Sequence, residues 1–371
     1  MIEIRTVSTR RDLARFIDYA YTRNAGDPHW VPPLRLAERD RLSSDRNAFF
    51  AHAEAQLFLA SDERGAVTGR VAAIDDRLHN ETHRDNIAMF GFFEAASSEA
   101  ARALFDAAEH WAARRGRTAM RGPLNPSMNE SAGLLIDGFD SDPALMMPHN
   151  PPEYASFIEG CGYGKVKDLH AWLFDMSRGL APTITRLAER MASRAPVTLR
   201  PLRLEEFERE VERLRAIYCG AWEHNWGFVP PTPDEFRRIA RELRPIFDSR
   251  CAVCAEVDGR PVACCIAVPD INQALRGTGG RLFPLGLIRL LGRRWIVDRV
   301  RLLILGVLPE YRHFGLYPML IARLHKQIYP AYRAVECSWV LEDNRDVNGV
   351  LELVGARRYK TYRIYEKPLT A

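Results

Sequence analysis

Hydrophobic and polar residues follow the same order of patterns in the two halves of the chain. IEIRTVSTRRDLARF, from Ile2, and VTLRPLRLEEFEREV, from Val197, each predict a short strand followed by a charged helix. AQLFLASDERGAVTGRVAAI and CAVCAEVDGRPVACCIAV each predict a pair of strands joined by a polar turn, at Gly65 and at Gly259. These matches predict a duplication with a period of about 195 residues.

The closing elements of the halves match as well. A helix, a glycine and a final pair of strands are predicted around Gly162 and again around Gly355. We therefore expect an α/β protein of two similar domains, at residues 1–178 and 196–371. The linker between them, at 179–195, is predicted to contain one short helix.

A strand, a basic turn and a helix follow one another in the second half. The apolar run Leu302 to Val307 predicts a buried strand that Pro309 ends, and an amphipathic pattern after Tyr317 predicts a helix. A helix start offers unpaired N–H groups and the positive end of a dipole, and Gly315 lets the backbone approach what binds there. A pyrophosphate is the ligand we expect, and an ordinary strand-to-helix turn is the alternative.

The first half lacks this basic turn. NIAMFGFFEA predicts its central strand, and SSEAARALFDAAEHWAARRG predicts a helix with Ser98 as its N-cap. Glu94 and Glu99 place negative charge where a pyrophosphate would lie. We therefore expect no cofactor in the first domain, which is predicted to serve the acceptor side.

Composition narrows the possible functions. The chain is 47% hydrophobic and 27% charged, which favours folded domains over disorder. The net charge of +4 is too small to predict a nucleic-acid partner. Since no apolar run reaches the roughly 18 residues of a membrane span and no secretory signal pattern is present, we expect a cytoplasmic protein.

The seven cysteines predict neither disulfides nor a metal site. Their number is odd, and most of them lie in apolar runs. Cys251 and Cys254 have metal-ligand spacing, but no second pair or histidine follows at a suitable distance, and CAVCAEV alternates like a strand. We expect no metal cofactor.

These motifs resemble those of the GNAT acyltransferases, whose coenzyme A loop is Q/R-x-x-G-x-G/A directly after a central strand. Arg312, Gly315 and Tyr317 occupy the three signature positions, with Tyr in place of a small residue. NPSMNESAGLLIDGF, MMPHNPPEY and WVLEDNRDVNGVLELVGARRYKTYRIYEK resemble tandem GNAT proteins of the YghO and bacterial ceramide synthase group. The resemblance implies two tandem GNAT-like domains, each with a mixed, mostly antiparallel central sheet flanked by helices.

The resemblance also implies an acyl-coenzyme A donor and the residues that hold it. In this fold the central strand and the next strand part, and the pantetheine arm lies in the gap. The implied cofactor-binding residues are Leu305, Gly306, Val307, Arg312, His313, Phe314, Gly315, Leu316, Tyr317 and Asn344.

Acyl transfer to an amine needs a base for the amine proton and often an acid for the thiolate. Glu342 is the predicted base. If the strand stays extended, Glu342 lies on the same face of the strand as Asn344. The alternative is that Glu342 is a solvated glutamate in a salt bridge. Asn344 matches an asparagine that many GNAT members hold near the thioester, and a helix N-cap is the alternative. The family's usual tyrosine acid has no match, so Tyr317 is the predicted substitute, with Tyr311 and Tyr359 as alternatives.

Two polar clusters are candidates for acceptor binding. Asn125, Asn129 and Glu130 lie in a loop punctuated by proline and glycine in the first half. His224, a second candidate base, and Trp226 follow a predicted helix in the second half. In both places a merely turn-rich connection is the alternative.

Segment 281–297 mixes large apolar residues with four arginines. This composition is typical of a helix at a lipid headgroup boundary, and a core helix with exposed arginines is the alternative. The interfacial interpretation predicts peripheral contact with the inner membrane surface and favours a lipid substrate.

Three functions remain open at this point. The first is an acyl-coenzyme A-dependent N-acyltransferase that transfers a long fatty acyl group to the amine of a sphingoid-like lipid, as the resemblance implies. The second is acetylation of a small soluble amine. The third is a non-catalytic acyl-coenzyme A-binding protein, which the missing tyrosine acid and Tyr317 would favour.

Overall fold

The computed structural model describes residues 2–193 and 196–369. Residues 194 and 195, at the end of the predicted linker, lie outside the described residues. The chain forms two compact units that interleave along the sequence. Unit 1 contains the residues up to Leu169, Leu275–Gly286 and the residues from Lys360 onward, and unit 2 contains His170–Ala274 and Leu287–Tyr359.

The elements are numbered in chain order. The helices are α1 (Arg10–Arg23), α2 (Arg35–Arg41), α3 (Arg77–His83), α4 (Ser98–Ala113), α5 (Tyr154–Gly160), α6 (Pro182–Ala192), α7 (Phe207–Trp222), α8 (Pro233–Leu243), α9 (Asn272–Leu275), α10 (Leu287–Leu291), α11 (Arg293–Ile296), α12 (Leu316–Ile328) and α13 (Arg345–Leu353). The strands are β1 (Glu3–Thr6), β2 (Ala53–Ser61), β3 (Val67–Asp76), β4 (Ile87–Ala95), β5 (Ala119–Gly122), β6 (Leu134–Asp137), β7 (Gly164–Asp175), β8 (Val197–Arg200), β9 (Ala252–Val257), β10 (Arg260–Pro269), β11 (Arg299–Val307), β12 (Ala334–Leu341) and β13 (Arg357–Pro368). Short helical turns cover Ala48–Ala51, Met176–Arg178, Leu204–Glu206, Arg244–Ile246, Ser249–Cys251, Leu282–Gly286 and Pro309–Phe314.

Unit 1 is built on a sheet in the order β1-β2-β3-β4-β5, which the end of β13 extends. Only the β4–β5 pair is parallel among these neighbours. Helix α4 packs on β2, β3 and β4, and Leu104 and Phe105 of α4 are fully buried there with Phe90 of β4. Tyr365 belongs to the same core, so the last strand of the chain helps to complete the first unit.

Unit 2 is built on strands in the order β8-β9-β10-β11-β12, and again only one pair, β11–β12, is parallel. Successive side chains of β10 point to opposite faces. Cys265 belongs to the core under α12, with Leu320 and Leu324, whereas Cys264 belongs to the core under α7, with Leu214. Two helices therefore cover opposite faces of the strands that carry the predicted site.

The duplicated strand-helix starts and both hairpins are confirmed. Gly65 and Gly259 make the two hairpin turns with left-handed φ values of +76° and +75°. The predicted final pair of strands is wrong in both halves, because a single long strand, β7 or β13, follows each closing glycine. The N-cap of α4 is Ser97 rather than Ser98, since the Ser97 hydroxyl accepts from the Ala100 N–H.

The predicted fold class is confirmed: the chain is α/β with a mostly antiparallel sheet flanked by helices. The compact units divide the sequence differently from the predicted bounds, because unit 1 takes segments from both halves of the sequence. The bounds 1–178 and 196–371 describe the duplication, and they stay a prediction about domains.

Candidate active site

Strands β11 and β12 pair over only four residues and then part. Arg299 to Leu302 lie opposite Ala334 to Cys337 in parallel register. Beyond this point β11 continues to Val307 along β10, and β12 continues to Leu341 without pairing to β11. The two strands are therefore unpaired toward their carboxyl ends, and we call the space between them the gap, with its narrow end at Leu302 and Cys337 and its wide end beyond Val307.

A β-bulge in β11 lies where the gap begins. Ile266 of β10 is opposite Ile304, but the next residue, Ala267, is opposite Leu302, so Leu303 has no partner on β10. A bulge of this kind bends the strand and increases its twist. It lies at the first positions that are no longer paired with β12.

The walls of the gap are apolar and half-buried. Every residue from Leu302 to Leu305 on β11 is half-buried, as are Trp339 and Val340 on β12. Gly306 is buried because α7 packs closely there: a Cβ at this position would lie 2.8 Å from the Trp222 ring. The predicted donor residue Val307 is fully buried, so its side chain belongs to the core and only its backbone can face the gap.

The predicted anion loop closes the wide end of the gap. Pro309–Phe314 form a tight turn, Gly315 adopts the left-handed conformation with φ +65° and ψ 37°, and α12 begins at Leu316. No side chain caps the start of α12, so the amides of Leu316 and Tyr317 are available there. The strand-turn-helix arrangement that the sequence predicts is confirmed.

Gly315 is required by its conformation and also by a neighbour. A Cβ at this position would lie 2.9 Å from both Cγ and Sδ of Met191, in α6. Helix α6 packs along α12. The short helix predicted in the linker therefore covers one side of the loop.

Arg312 and Tyr317 contact each other beside this glycine. Arg312 is exposed, and its guanidinium donates to the Ala221 carbonyl of α7 at 3.2 Å, which ties the turn to α7. Burial raises the pKa of Tyr317 above its usual value, although a hydrogen bond from Arg312 opposes the shift. The phenol is therefore protonated at neutral pH and can donate a hydrogen bond.

Glu342 lies in a turn rather than in a strand. Strand β12 ends at Leu341, and Glu342 and Asp343 form a turn in which the Asn344 N–H donates to the Leu341 carbonyl at 3.0 Å. The expectation that Glu342 continues an extended strand is wrong, because the turn ends the alternation of side chains. Its role as base stays a prediction without that support.

Asn344 is the N-cap of α13, as the alternative interpretation predicts. Its side-chain oxygen accepts from the Val347 N–H at 3.2 Å. Asn348, one turn later, donates to the carbonyls of Leu341 and Asn344, each at 2.9 Å. These bonds fix the end of β12 relative to α13, and a role of Asn344 near the donor stays a prediction.

Sequence reasoning missed a buried carboxylate at the narrow end of the gap. Glu336 of β12 is fully buried opposite Arg301, and the Arg301 Nε lies 3.7 Å from its Oε2. Ser338 donates to the same oxygen at 2.9 Å, and Tyr359 donates to Oε1 at 3.2 Å. A charged residue between apolar neighbours in AVECSWVL was the only signal in the sequence.

In unit 1 the equivalent strands part as well, but the chain itself fills the opening. Strands β4 and β5 pair from Ile87 to Met89, and the segment after β5 then approaches β4. The Leu124 N–H donates to the Phe90 carbonyl at 2.8 Å, and the Phe92 N–H donates to the Asn125 side-chain oxygen at 2.5 Å.

The other residues predicted to bind the acceptor lie in varied surroundings. Glu130 is buried, with Arg41 Nε 3.4 Å away, and Asn129 is half-buried. His224 is exposed and Trp226 half-buried in the turn after α7. Both follow directly after Trp222, the last residue of α7.

A buried carboxylate lies just before the first-half turn that corresponds to the anion loop. Glu94, near the end of β4, accepts from the Tyr154 hydroxyl at 2.7 Å and from Asn24 at 3.2 Å. Arg70 lies 3.7 Å away, yet burial raises the pKa of Glu94 above its usual range.

Segment 281–297 is not one helix. Within unit 2 it forms α10 and α11, which Gly292 separates. The exposed fractions are 64% for Ile288, 70% for Leu291 and 79% for Trp295, while the neighbouring Leu290 packs against the core. In the described part of the chain, no helix combines the length and apolar character needed to cross a bilayer.

Two relatives match the chain along nearly its whole length. Protein YghO of Escherichia coli (strain K12) is 35% identical over 375 residues, covering 99% of this chain and 95% of the relative. The bacterial ceramide synthase of Caulobacter vibrioides (strain NA1000 / CB15N) is 36% identical over 372 residues, covering 98% of this chain and 96% of the relative. No protein-family model matches the chain.

Solved structures show the same fold at low sequence identity. A tandem GNAT protein from the clavulanic acid biosynthesis pathway has a TM-score of 0.61 at 14% identity and covers 100% of this chain and 99% of its own. A GCN5-related N-acetyltransferase from Sphaerobacter thermophilus has a TM-score of 0.56 at 13% identity and covers 100% and 96%. The chain therefore has the tandem GNAT fold, and it belongs to the family that contains protein YghO and a bacterial ceramide synthase.

Proposed function

We propose that the protein transfers a long fatty acyl group from acyl-coenzyme A to the amine of a sphingoid-like lipid. The observation that carries the proposal is the gap between β11 and β12, together with the glycine-led turn at its wide end. An extended pantetheine arm needs unpaired strand backbone, and a pyrophosphate needs free amides at a helix start. Both lie in consecutive segments of unit 2.

The donor is proposed to lie with its pyrophosphate against residues 312–317 and its arm along Leu305, Gly306 and Val307. Arg312 supplies positive charge at the loop, and the start of α12 supplies amides and the positive end of a dipole. Tyr317 can donate a hydrogen bond there. In unit 1, Leu124 and Asn125 bond to β4 where an arm would lie, which favours unit 2 as the place of the donor.

The apolar lining of the gap favours a long acyl chain over an acetyl group. Leu302, Leu303 and Ile304, at the narrow end of the gap, are half-buried although Leu302 and Ile304 also contact the cores, so an acyl chain could cover the apolar surface they still expose. The name of the Caulobacter relative supports the other half of the proposal, a sphingoid-like lipid as the acceptor. Transfer of an acetyl group to a small soluble amine would not require an apolar surface of this kind.

The exposed residues of α10 and α11 favour access to the acceptor from a membrane. Ile288, Leu291 and Trp295 are large and exposed, and Arg289, Arg293 and Arg294 alternate with them. Apolar side chains can enter the headgroup region while arginines meet anionic lipid. We infer peripheral contact with the inner membrane surface.

Release of coenzyme A thiol tests the proposal. Acetyl- and palmitoyl-coenzyme A are each incubated with the protein, with and without a long-chain amino alcohol or its 3-keto form. We expect release that depends on the acceptor and on the palmitoyl donor. Release from acetyl-coenzyme A with a small amine would identify a soluble N-acetyltransferase, and binding of acyl-coenzyme A without release to any acceptor would identify a non-catalytic binding protein.

A further inference from the structure

The carboxylate of Glu336 lies at the point where β11 and β12 stop pairing. Its partner across the strands is Arg301, and the last pair, Leu302 with Cys337, is one position further. Ser338 is the first residue of β12 beyond that pair, and its hydroxyl donates to Glu336 at 2.9 Å. Ser338 is half-buried, whereas Glu336 is fully buried, so the serine is the outer end of the pair.

Both side chains point to the α7 face of the sheet. Val335 and Cys337 belong to the core under α12, so strand alternation directs Glu336 and Ser338 to the opposite face. On that face Trp222 of α7 lies against β11 at Gly306. The turn after α7, which carries His224, follows directly, so this is the face where a second substrate could approach the gap.

The reacting end of the donor would lie near Ser338. The loop for the pyrophosphate is at the wide end of the gap, beyond Val307. From Val307 to Leu302 an extended strand covers about 16 Å, at roughly 3.3 Å per residue. A donor arm that starts at the loop and follows β11 therefore carries its thioester toward the narrow end.

We propose that Ser338 and Glu336 form a relay that takes the proton from the acceptor amine. This inference rests on the function proposed above. The nitrogen of the neutral amine forms a bond to the thioester carbonyl carbon, and the carbon–sulfur bond breaks to release the thiolate. The amine proton passes to Oγ of Ser338 while the serine proton passes to Oε2 of Glu336, and the carboxyl later returns a proton through Ser338 to the thiolate or to water.

The surroundings of Glu336 suit this task. Tyr359 holds Oε1, which leaves Oε2 to accept from Ser338. Burial raises the pKa of Glu336, and the nearby Arg301 opposes the shift. The hydrogen bond from Ser338 and the charge of Arg299 also lower this pKa, and Asp270 raises it; because the net shift is upward, the carboxylate is a stronger base than an exposed glutamate.

Two variants and a matched control test the relay in the palmitoyl-transfer assay. Glu336→Gln is expected to lower kcat by about 100-fold or more, and Ser338→Ala by about 10-fold or more, with the KM of the donor nearly unchanged. Asp270→Asn is the control, because Asp270 is also fully buried and pairs with an arginine of β11, Arg299, at 2.6 Å. It should keep kcat within a few-fold, since the Ser338 hydroxyl donates to Glu336 and Asp270 acts on Glu336 only through its charge.

A pH profile separates proton transfer from a structural role. The base must be ionised, so wild-type kcat should fall as the pH decreases through the raised pKa of Glu336. This acidic limb should be absent from the residual activity of Glu336→Gln. It should be present in Asp270→Asn but lie at lower pH, because Asp270 no longer raises the pKa of Glu336 there. Should Glu336→Gln fail to fold, Ser338→Ala decides, because it retains the buried carboxylate.

The outcomes also distinguish the relay from the proposed function. If the wild-type protein transfers the acyl group and either Glu336→Gln or Ser338→Ala is equally active, the relay is overturned and the proposed function stands. An equal loss of kcat in Asp270→Asn also overturns the relay, since any disruption of the buried cluster would then be sufficient. A wild-type protein that transfers no acyl group to any acceptor overturns both proposals.

Discussion

Gly315 meets two independent requirements at one residue. Its left-handed φ of +65° is costly for any residue with a Cβ, and the Met191 side chain lies only 2.9 Å from the place where that Cβ would lie. The turn before α12 can therefore place its amides at the end of the gap only if this position is glycine. A Glu substitution would combine both effects with charge, so alanine is the cleaner probe.

Gly315→Ala is expected to lower the free energy of unfolding by about 1–2 kcal/mol from backbone strain, with a further contribution from the Met191 contact. Coenzyme A binding should weaken as well, because the turn cannot keep its conformation. Urea unfolding and calorimetric titration with coenzyme A measure the two effects.

Gly349→Ala is the matched control for this substitution. Gly349 lies in α13, and nothing is within 4 Å of the place where its Cβ would lie, so alanine should be neutral or stabilising by up to about 1 kcal/mol. Adding Met191→Ala to Gly315→Ala should recover the contact part of the loss and leave the strain part. Unchanged stability and binding in Gly315→Ala would show that the loop is not constrained in this way.

Residues in the anion loop could be predicted from sequence, whereas Glu336 and Ser338 could not. Arg312 and Gly315 belong to a local pattern of strand, turn and helix, and local patterns can be read directly along the chain. The position of Glu336 depends on the register of β12 against β11 and on where that pairing ends, and both are set by long-range contacts. Glu342 was predicted instead because an extended strand was assumed through a turn.

At the scale of elements, the prediction of one helix over 281–297 is wrong, because the helical segment is interrupted at Gly292. Gly292 lowers helix propensity and separates α10 from α11, so two short helices replace one. The break does not bury the apolar residues: Leu291 and Trp295 are 70% and 79% exposed. Hydrophobic composition predicted the exposed surface here, but periodicity did not predict the shape that displays it.

Leu291→Asp with Trp295→Asp is expected to release the protein from vesicles that contain anionic lipid. Losing two large apolar contacts and adding two negative charges should weaken partitioning at least about 100-fold, at about 1.4 kcal/mol per tenfold. Co-sedimentation with phosphatidylglycerol vesicles measures it. Leu36→Asp is the control, since Leu36 is 57% exposed on α2 and lies outside the segment, and equal binding by the double variant would assign α10 and α11 no membrane role.

At the scale of the whole molecule, the sequence is a tandem duplication, but each of the two compact units is built from separate segments of that sequence. Strand-helix starts, hairpins and closing glycines could all be predicted, because each is local. The assignment of Lys360 and later residues to unit 1 could not, because it depends on pairing between Tyr365–Pro368 and Ala119–Gly122, far apart in sequence. A chain that duplicates its elements can thus still require both halves of its sequence to complete one sheet.

Residues 1–178 expressed alone are therefore expected to aggregate or to unfold without a cooperative transition. This fragment lacks Tyr365, which is fully buried in the core of unit 1, and Lys367, whose ammonium lies 2.7 Å from Glu109. It also exposes the edge of β5 that pairs with β13 in the full chain. Fusing residues 357–369 to the fragment through a flexible linker restores the missing strand and should restore soluble monomer with cooperative unfolding, as measured by gel filtration and thermal circular dichroism. A fragment that folds cooperatively without this strand would show that unit 1 does not depend on β13, and the bounds predicted from the duplication would then describe independent domains.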